Sequence, residues 1–148
     1  RTASSLMNFF KKDTDYLLGS KPNMGKETPF EENDLTTDKY RYSRILKLIR
    51  QKPNIRLWGV TNGFAKAVNK KFKKIRQKGW AESINLKILI INNTQDQVVS
   101  SDKIKKMQKR LPNSQMINFS STKHEIFMEK DIYRKDLWNS IDHFLDTK

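Results

Sequence analysis

The sequence predicts an α/β protein: a parallel β-α-β unit closed by a C-terminal helix and preceded by a helical region. Leu86-Lys87-Ile88-Leu89-Ile90-Ile91 is a nearly continuous apolar run of strand length, as expected of a strand covered on both faces of a parallel sheet. A second apolar segment at 115–119 follows after one short-helix length, and a parallel pair requires such a crossover. Residues 1–83 show helical periodicity and turn clusters but no convincing strand, so the chain divides into a helical part, 1–83, and an α/β part, 84–148.

In chain order, a first helix is expected over 4–18, with Leu6, Phe9, Phe10 and Leu17 apolar and Gly19 ending it. Turn clusters at Gly19-Ser20-Lys21-Pro22-Asn23 and Lys26-Glu27-Thr28-Pro29 separate it from a second helix. There Thr37 or Asp38 caps the exposed amides, and Tyr42, Ile45, Leu46 and Ile49 recur at helical spacing up to Pro53. A third helix, about 63–77, carries Phe64, Val68, Phe72 and Ile75 on one side, with Lys66, Lys70, Lys71, Lys73, Lys74, Arg76 and Lys78 around the rest. Such a basic amphipathic helix either packs its apolar stripe inward or meets anionic lipid headgroups. In the second part, a short helix over 101–110 turns Ile104 and Met107 inward and leads through Pro112-Asn113 to the second strand. The last helix, about 132–145, offers Leu137, Trp138, Ile141, Phe144 and Leu145 to the sheet.

Composition narrows the classes of function. The net charge of +14 invites an anionic partner, but 22 of the 30 basic residues are Lys and 8 are Arg. Nucleic-acid recognition favours the guanidinium fork, and no reading motif accompanies the charge, so a lipid surface is the expected partner rather than nucleic acid. The 36% hydrophobic content and mean hydropathy of −0.80 are low for a domain burying a sheet on both faces, which leaves apolar surface expecting a partner. The chain opens on Arg1, as a processed or truncated chain does, and no apolar run reaches the roughly 18 to 20 residues that cross a bilayer. The expected location is the cytoplasm, with peripheral contact to the inner membrane. Absent cysteine removes disulfides, zinc thiolates and a thiol nucleophile. Two histidines 19 positions apart (143 − 124) make no zinc site, and no Gly-rich phosphate cradle occurs, so no cofactor is expected.

The residues of chemical interest follow the two strands. Thr94-Gln95-Asp96-Gln97-Val98-Val99 comes after the first, and Lys123-His124-Glu125-Ile126-Phe127-Met128-Glu129 after the second, 28 residues separating the acid from the imidazole (124 − 96). Parallel strands send their following loops to the same sheet edge, where open α/β sheets build sites. Asp96 and His124 together look like two members of a nucleophile–base–acid triad; taken singly, each is an ordinary turn or surface residue. No Gly-x-Ser-x-Gly elbow occurs among the five glycines. Asp102 is expected to cap the helix it opens, and His143 to lie on the surface. Trp58, Phe64, Trp80 and Phe127 could line an acyl pocket or be plain core.

Three blocks then point to a family. Pro29-Phe30-Glu31-Glu32-Asn33-Asp34-Leu35-Thr36-Thr37-Asp38, Gln95-Asp96-Gln97-Val98-Val99 and His124-Glu125-Ile126-Phe127-Met128-Glu129-Lys130-Asp131 occur in this order. The chain resembles, from about residue 4 to its end, the C-terminal half of the α/β-hydrolase group containing bacterial lysophospholipases and monoacylglycerol lipases. The resemblance implies that 1–83 is a helical cap over an acyl-chain pocket and that 84–148 holds the last two strands of the hydrolase sheet. It also implies Asp96 as triad acid, His124 as base, a single-chain lipid ester as substrate, and a serine nucleophile on an N-terminal hydrolase segment missing from this chain. The chain alone is then expected to be inactive. A non-catalytic remnant of a split gene, binding lipid or membrane through its basic helix, is the alternative.

Overall fold

A computed structural model of the chain describes residues 13–17, 27–57 and 59–146. The α/β part is a two-stranded parallel sheet, β1 (Ile88–Asn93) beside β2 (Ser114–Phe119), in the register Ile91↔Ile117 and Asn93↔Phe119. Side chains alternate across it. Ile91, Ile117 and Phe119 share the face that packs, with Ile126, against Leu137 and Ile141 of the C-terminal helix. On the other face, fully buried Asn92 donates to Ser101 Oγ at 2.9 Å and to Asn118 Oδ1 at 2.8 Å, so the crossover helix lies there. The two strands therefore sit between layers, as an α/β unit requires. Within the described residues Ile88 to Ile91 are only half-buried and Leu86 is exposed. The apolar run is written for more cover than these residues supply.

Among the described residues there are four α-helices. Helix α1 (Lys39–Gln51) starts where Asp38 caps it, its side chain accepting the Arg41 amide at 2.9 Å. Its inward row is Tyr42, Leu46 and Ile49; Tyr42 is buried, touches Phe30 at 5.8 Å between ring centroids and donates its hydroxyl to Thr28 O. Pro53 follows two residues past the last helical residue, Gln51, and the intervening Lys52, as the residue before a proline, leaves helical geometry. Helix α2 (Asn62–Ile75) is capped by Thr61. Helix α3 (Ser101–Gln108) makes the crossover, and α4 (Asp131–Asp146) ends the chain's described part.

The structure corrects several expectations. Most of the helix expected over 4–18 lies outside the described residues, and its described end is not helical: Tyr16 bridges Thr61 antiparallel, and Leu17 donates to Val60 O at 2.8 Å. Pairing with the chain ahead of α2 outcompetes local helix there. Gly63 permits that approach, since a Cβ would stand 3.0 Å from Asp13 Cβ and O. The turn cluster at 19–23 and Trp58 also lie outside the described residues. Ser100, not Asp102, caps α3, because its side chain reaches the Lys103 amide; Asp102 sits in the first turn, where its charge favours the amide end. The apolar row of α2 is not packed inward along its length: Phe64 is 60% and Phe72 48% exposed. Trp138 and Leu145 likewise face outward from α4.

Candidate active site

The register ends both strands at the same level, so the loops after Asn93 and Phe119 emerge side by side. Three hydrogen bonds tie them together: Thr94 N and Thr94 Oγ1 both donate to Phe119 O, and buried Asn93 donates through Nδ2 to Thr122 O. Asn93 Oδ1 accepts the Gln95 amide at 2.9 Å and tightens the first loop. The next residue is Asp96.

Asp96 Oδ1 accepts the amides of Val98 at 2.7 Å and Val99 at 3.0 Å, which fixes the carboxylate plane. Its Oδ2 lies 2.8 Å from Nδ1 of His124. The Asp96 side chain is 4% exposed and that of His124 28%. Burial pushes the Asp96 carboxyl upward, but the hydrogen bonds from His124, Val99 and Val98 outweigh it and hold the carboxyl below its ordinary value. At neutral pH Asp96 is therefore an anion that can only accept, so the proton of a neutral imidazole sits on Nδ1 and the lone pair on Nε2. An imidazole held in that tautomer can take a proton at Nε2 and return it.

The His124 loop has a second anchor outside the sheet. His124 N donates to Asp34 O at 3.1 Å, and Glu125 N to Leu35 O at 2.8 Å. Thr36 Oγ1 donates to Met128 O at 2.7 Å, Lys123 Nζ donates to Asn33 O, and Arg41 Nη1 donates to Glu129 O at 3.0 Å. Glu129, fully buried, accepts the Thr37 amide and hydroxyl and the Lys123 amide on its carboxylate. Segment 33–41 and segment 123–131, some 90 residues apart, thus form one polar seam.

A cavity of about 570 Å³ opens beside the two loops, lined among others by Asp34, Thr37, Gln95, Gln97, Ser121 and Lys123. A second open cleft of about 620 Å³ runs along α1 beside Met128, with Tyr40, Ile45 and Leu48 on its wall. Of the aromatics named as acyl-pocket candidates, the described Phe64, Trp80 and Phe127 do not line it. Phe127 instead meets Trp138 edge-on at 5.6 Å, and Phe64 stands exposed on α2. His143 is exposed. Among the described residues no cluster of three His, Asp or Glu side chains could hold a metal ion.

Against this geometry, the family described as serine aminopeptidase S33 matches residues 4–131. The chain belongs to that family. It is 26% identical over 144 residues to a probable lysophospholipase L2 from Haemophilus influenzae, an alignment covering 97% of this chain and 45% of that protein. Among solved structures it superposes with TM-score 0.61 and 15% identity on a soluble variant of monoglyceride lipase from Saccharomyces cerevisiae in complex with a substrate analogue, covering 82% of this chain and 43% of that one. That likeness is one of fold, and it makes the chain part of an α/β-hydrolase fold. The chain spans less than half the length of these relatives.

Proposed function

We propose that this chain forms part of a serine ester hydrolase of single-chain lipids, such as lysophospholipids or monoacylglycerols, and supplies its acid, its base and its cap. The contact of Asp96 with His124 at 2.8 Å, made by loops leaving one edge of a parallel sheet, is the observation that carries the reading. The serine comes from polypeptide outside these 148 residues. Its hydroxyl proton passes to His124 Nε2 as the oxygen attacks the ester carbonyl, and the resulting imidazolium is stabilised by the Asp96 anion. The same proton then goes to the departing alcohol, leaving an acyl-enzyme. Water repeats the cycle, giving its proton to Nε2 and releasing the fatty acid.

Residues 1–83 serve as the cap in this reading, supported by the hydrogen bonds of segment 33–38 to the His124 loop. A peripheral lipid surface is the proposed partner of α2, on which exposed Phe64 and Phe72 stand among exposed Lys66, Lys70, Lys71, Lys73 and Lys74. Among the described residues no helix is long and apolar enough to cross a membrane.

The test is hydrolysis of a short-chain acyl ester by this chain joined with a hydrolase segment that carries the serine. Activity lost in His124→Ala supports the proposal. A joined protein that binds the ester and leaves it intact supports instead a non-catalytic lipid-binding remnant.

A further inference from the structure

We propose that Glu129 is a positioning residue for His124, clamping the histidine loop to the 33–38 segment so that the imidazole is aimed only while that segment is seated. The inference rests on the reading of Asp96 and His124 as acid and base. Three donors converge on a carboxylate that is fully buried. Thr37 N lies 3.0 Å from both oxygens, Thr37 Oγ1 donates to Oε2, and Lys123 N donates to Oε1 at 2.7 Å. Burying an acid this way is costly unless each oxygen is satisfied, and here two amides and a hydroxyl satisfy both. A glutamine in its place could keep Oε1 for the two amides and give its NH2 to Thr37 Oγ1, which accepts as well as donates, whereas an alanine would leave all three groups without their acceptor. The position therefore calls for a side chain long enough to bring an acceptor to groups on both segments.

The clamp acts one residue from the base. The Lys123 amide that Glu129 fixes belongs to the residue immediately before His124, whose own amide donates to Asp34 O. Met128, immediately before Glu129, accepts from Thr36 Oγ1, and Thr36 Oγ1 also accepts the Asp38 amide at 3.0 Å. Asp38 then caps α1. Two adjacent sets of hydrogen bonds, Asp38–Thr36–Met128 and Thr37–Glu129–Lys123, thus tie the start of α1 to the residue just before His124. Displacing 33–38 withdraws two of the three donors from Glu129 and the backbone acceptors of His124 and Glu125 together. Asp96, held by Val98 and Val99 on the other loop, would keep its place while the ring swung away.

The test is nitrogen and proton NMR of the histidine rings in the 148-residue chain. It has two histidines, and exposed His143 serves as the internal reference. Wild type should show a hydrogen-bonded Nδ1 proton for His124. Glu129→Ala, which removes the acceptor, should lose that resonance and even out the two His124 tautomers, with the far-ultraviolet circular dichroism and the His143 signals unchanged. Thr37→Val removes one donor and keeps the amide; it should weaken the resonance partially, and it decides the matter if Glu129→Ala does not fold. Asp96→Asn is the control for the underlying reading. If it abolishes the resonance while folded Glu129→Ala, or Thr37→Val in its stead, leaves it intact, Glu129 is structural only and the inference is overturned. If Asp96→Asn itself changes nothing, the acid–base reading fails and this inference fails with it.

Discussion

Asp96 and His124, 28 residues apart in sequence, meet through Oδ2 and Nδ1 at 2.8 Å, and the acid's other oxygen is taken by the amides of Val98 and Val99. The acid is thus fixed by its own loop and the base by another segment, so the two can be perturbed separately.

Asp96→Asn tests the acid. The asparagine oxygen can still accept from Val98 and Val99, so the loop should persist, while the amide NH2 turned toward His124 would donate to Nδ1 and move the ring proton to Nε2. In an active protein containing this chain, kcat should fall on the order of 10⁴-fold, as when a triad holds its base in the wrong tautomer. Steady-state hydrolysis of a short-chain acyl ester measures it.

Acid should weaken the fold through identifiable groups. Asp96 is held below its ordinary value, with burial opposing and the His124 and backbone hydrogen bonds prevailing; Glu82 is drawn down to about 2, first by its hydrogen bond to Arg110. A depressed carboxyl adds stability that is fully present above its unfolded value, about 4, and is lost as pH falls through its folded value. Urea midpoints should therefore hold steady near neutrality and decline below about pH 4.5. Asp96→Asn and Glu82→Gln should each flatten part of that decline.

Arg110 should govern the junction after α2. Its guanidinium donates to Ile75 O at 3.1 Å and Gln77 O at 2.7 Å while pairing with Glu82, so one side chain gathers the last carbonyls of α2 and the turn beyond. Gly79 in that turn has φ of +88°, which a side chain would strain. Arg110→Ala should speed hydrogen exchange at the amides of Arg76, Gln77 and Trp80 and leave β1 unchanged.

Leu137 is fully buried at the centre of the apolar cluster with Phe119 and Ile126. Leu137→Ala should cost about 2–5 kcal/mol, the range for emptying a packed leucine site. Denaturant unfolding at neutral pH checks it.

The α2 surface should bind anionic lipid in a salt-dependent way. Lys70, Lys71 and Lys74 are exposed. Reversing all three to Glu should abolish sedimentation with phosphatidylserine vesicles at low salt, and added salt should weaken wild-type binding. Unchanged binding by the reversed protein would remove the lipid surface as the partner of α2.

What the sequence allowed one to read follows from where its signals are local. The continuous apolar run of β1, the spacing of its partner and the periodicity of α1, α3 and α4 all report on nearby geometry, and parallel pairing then brings Asp96 to His124. The end of the 4–18 segment failed because its backbone bonds go to Thr61 and Val60, partners no local window contains. The cap of α3 fell to Ser100 over Asp102 by two residues, within the usual uncertainty of helix ends. Glu129 was invisible as a functional group. A charged residue between Met128 and Lys130 reads as surface, and only the arrival of Thr37 from 92 residues away turns it into a buried clamp. The exposure of Phe64 and Phe72 was hidden for the opposite reason, since an amphipathic pattern does not say which surface its apolar row will meet.

The most direct test of the central claim is ester hydrolysis by this chain joined to a hydrolase segment carrying the serine, with and without His124→Ala. The account predicts turnover by the joined protein and its loss in the variant. Turnover that survives His124→Ala, or none from a joined protein that binds the ester, would contradict it.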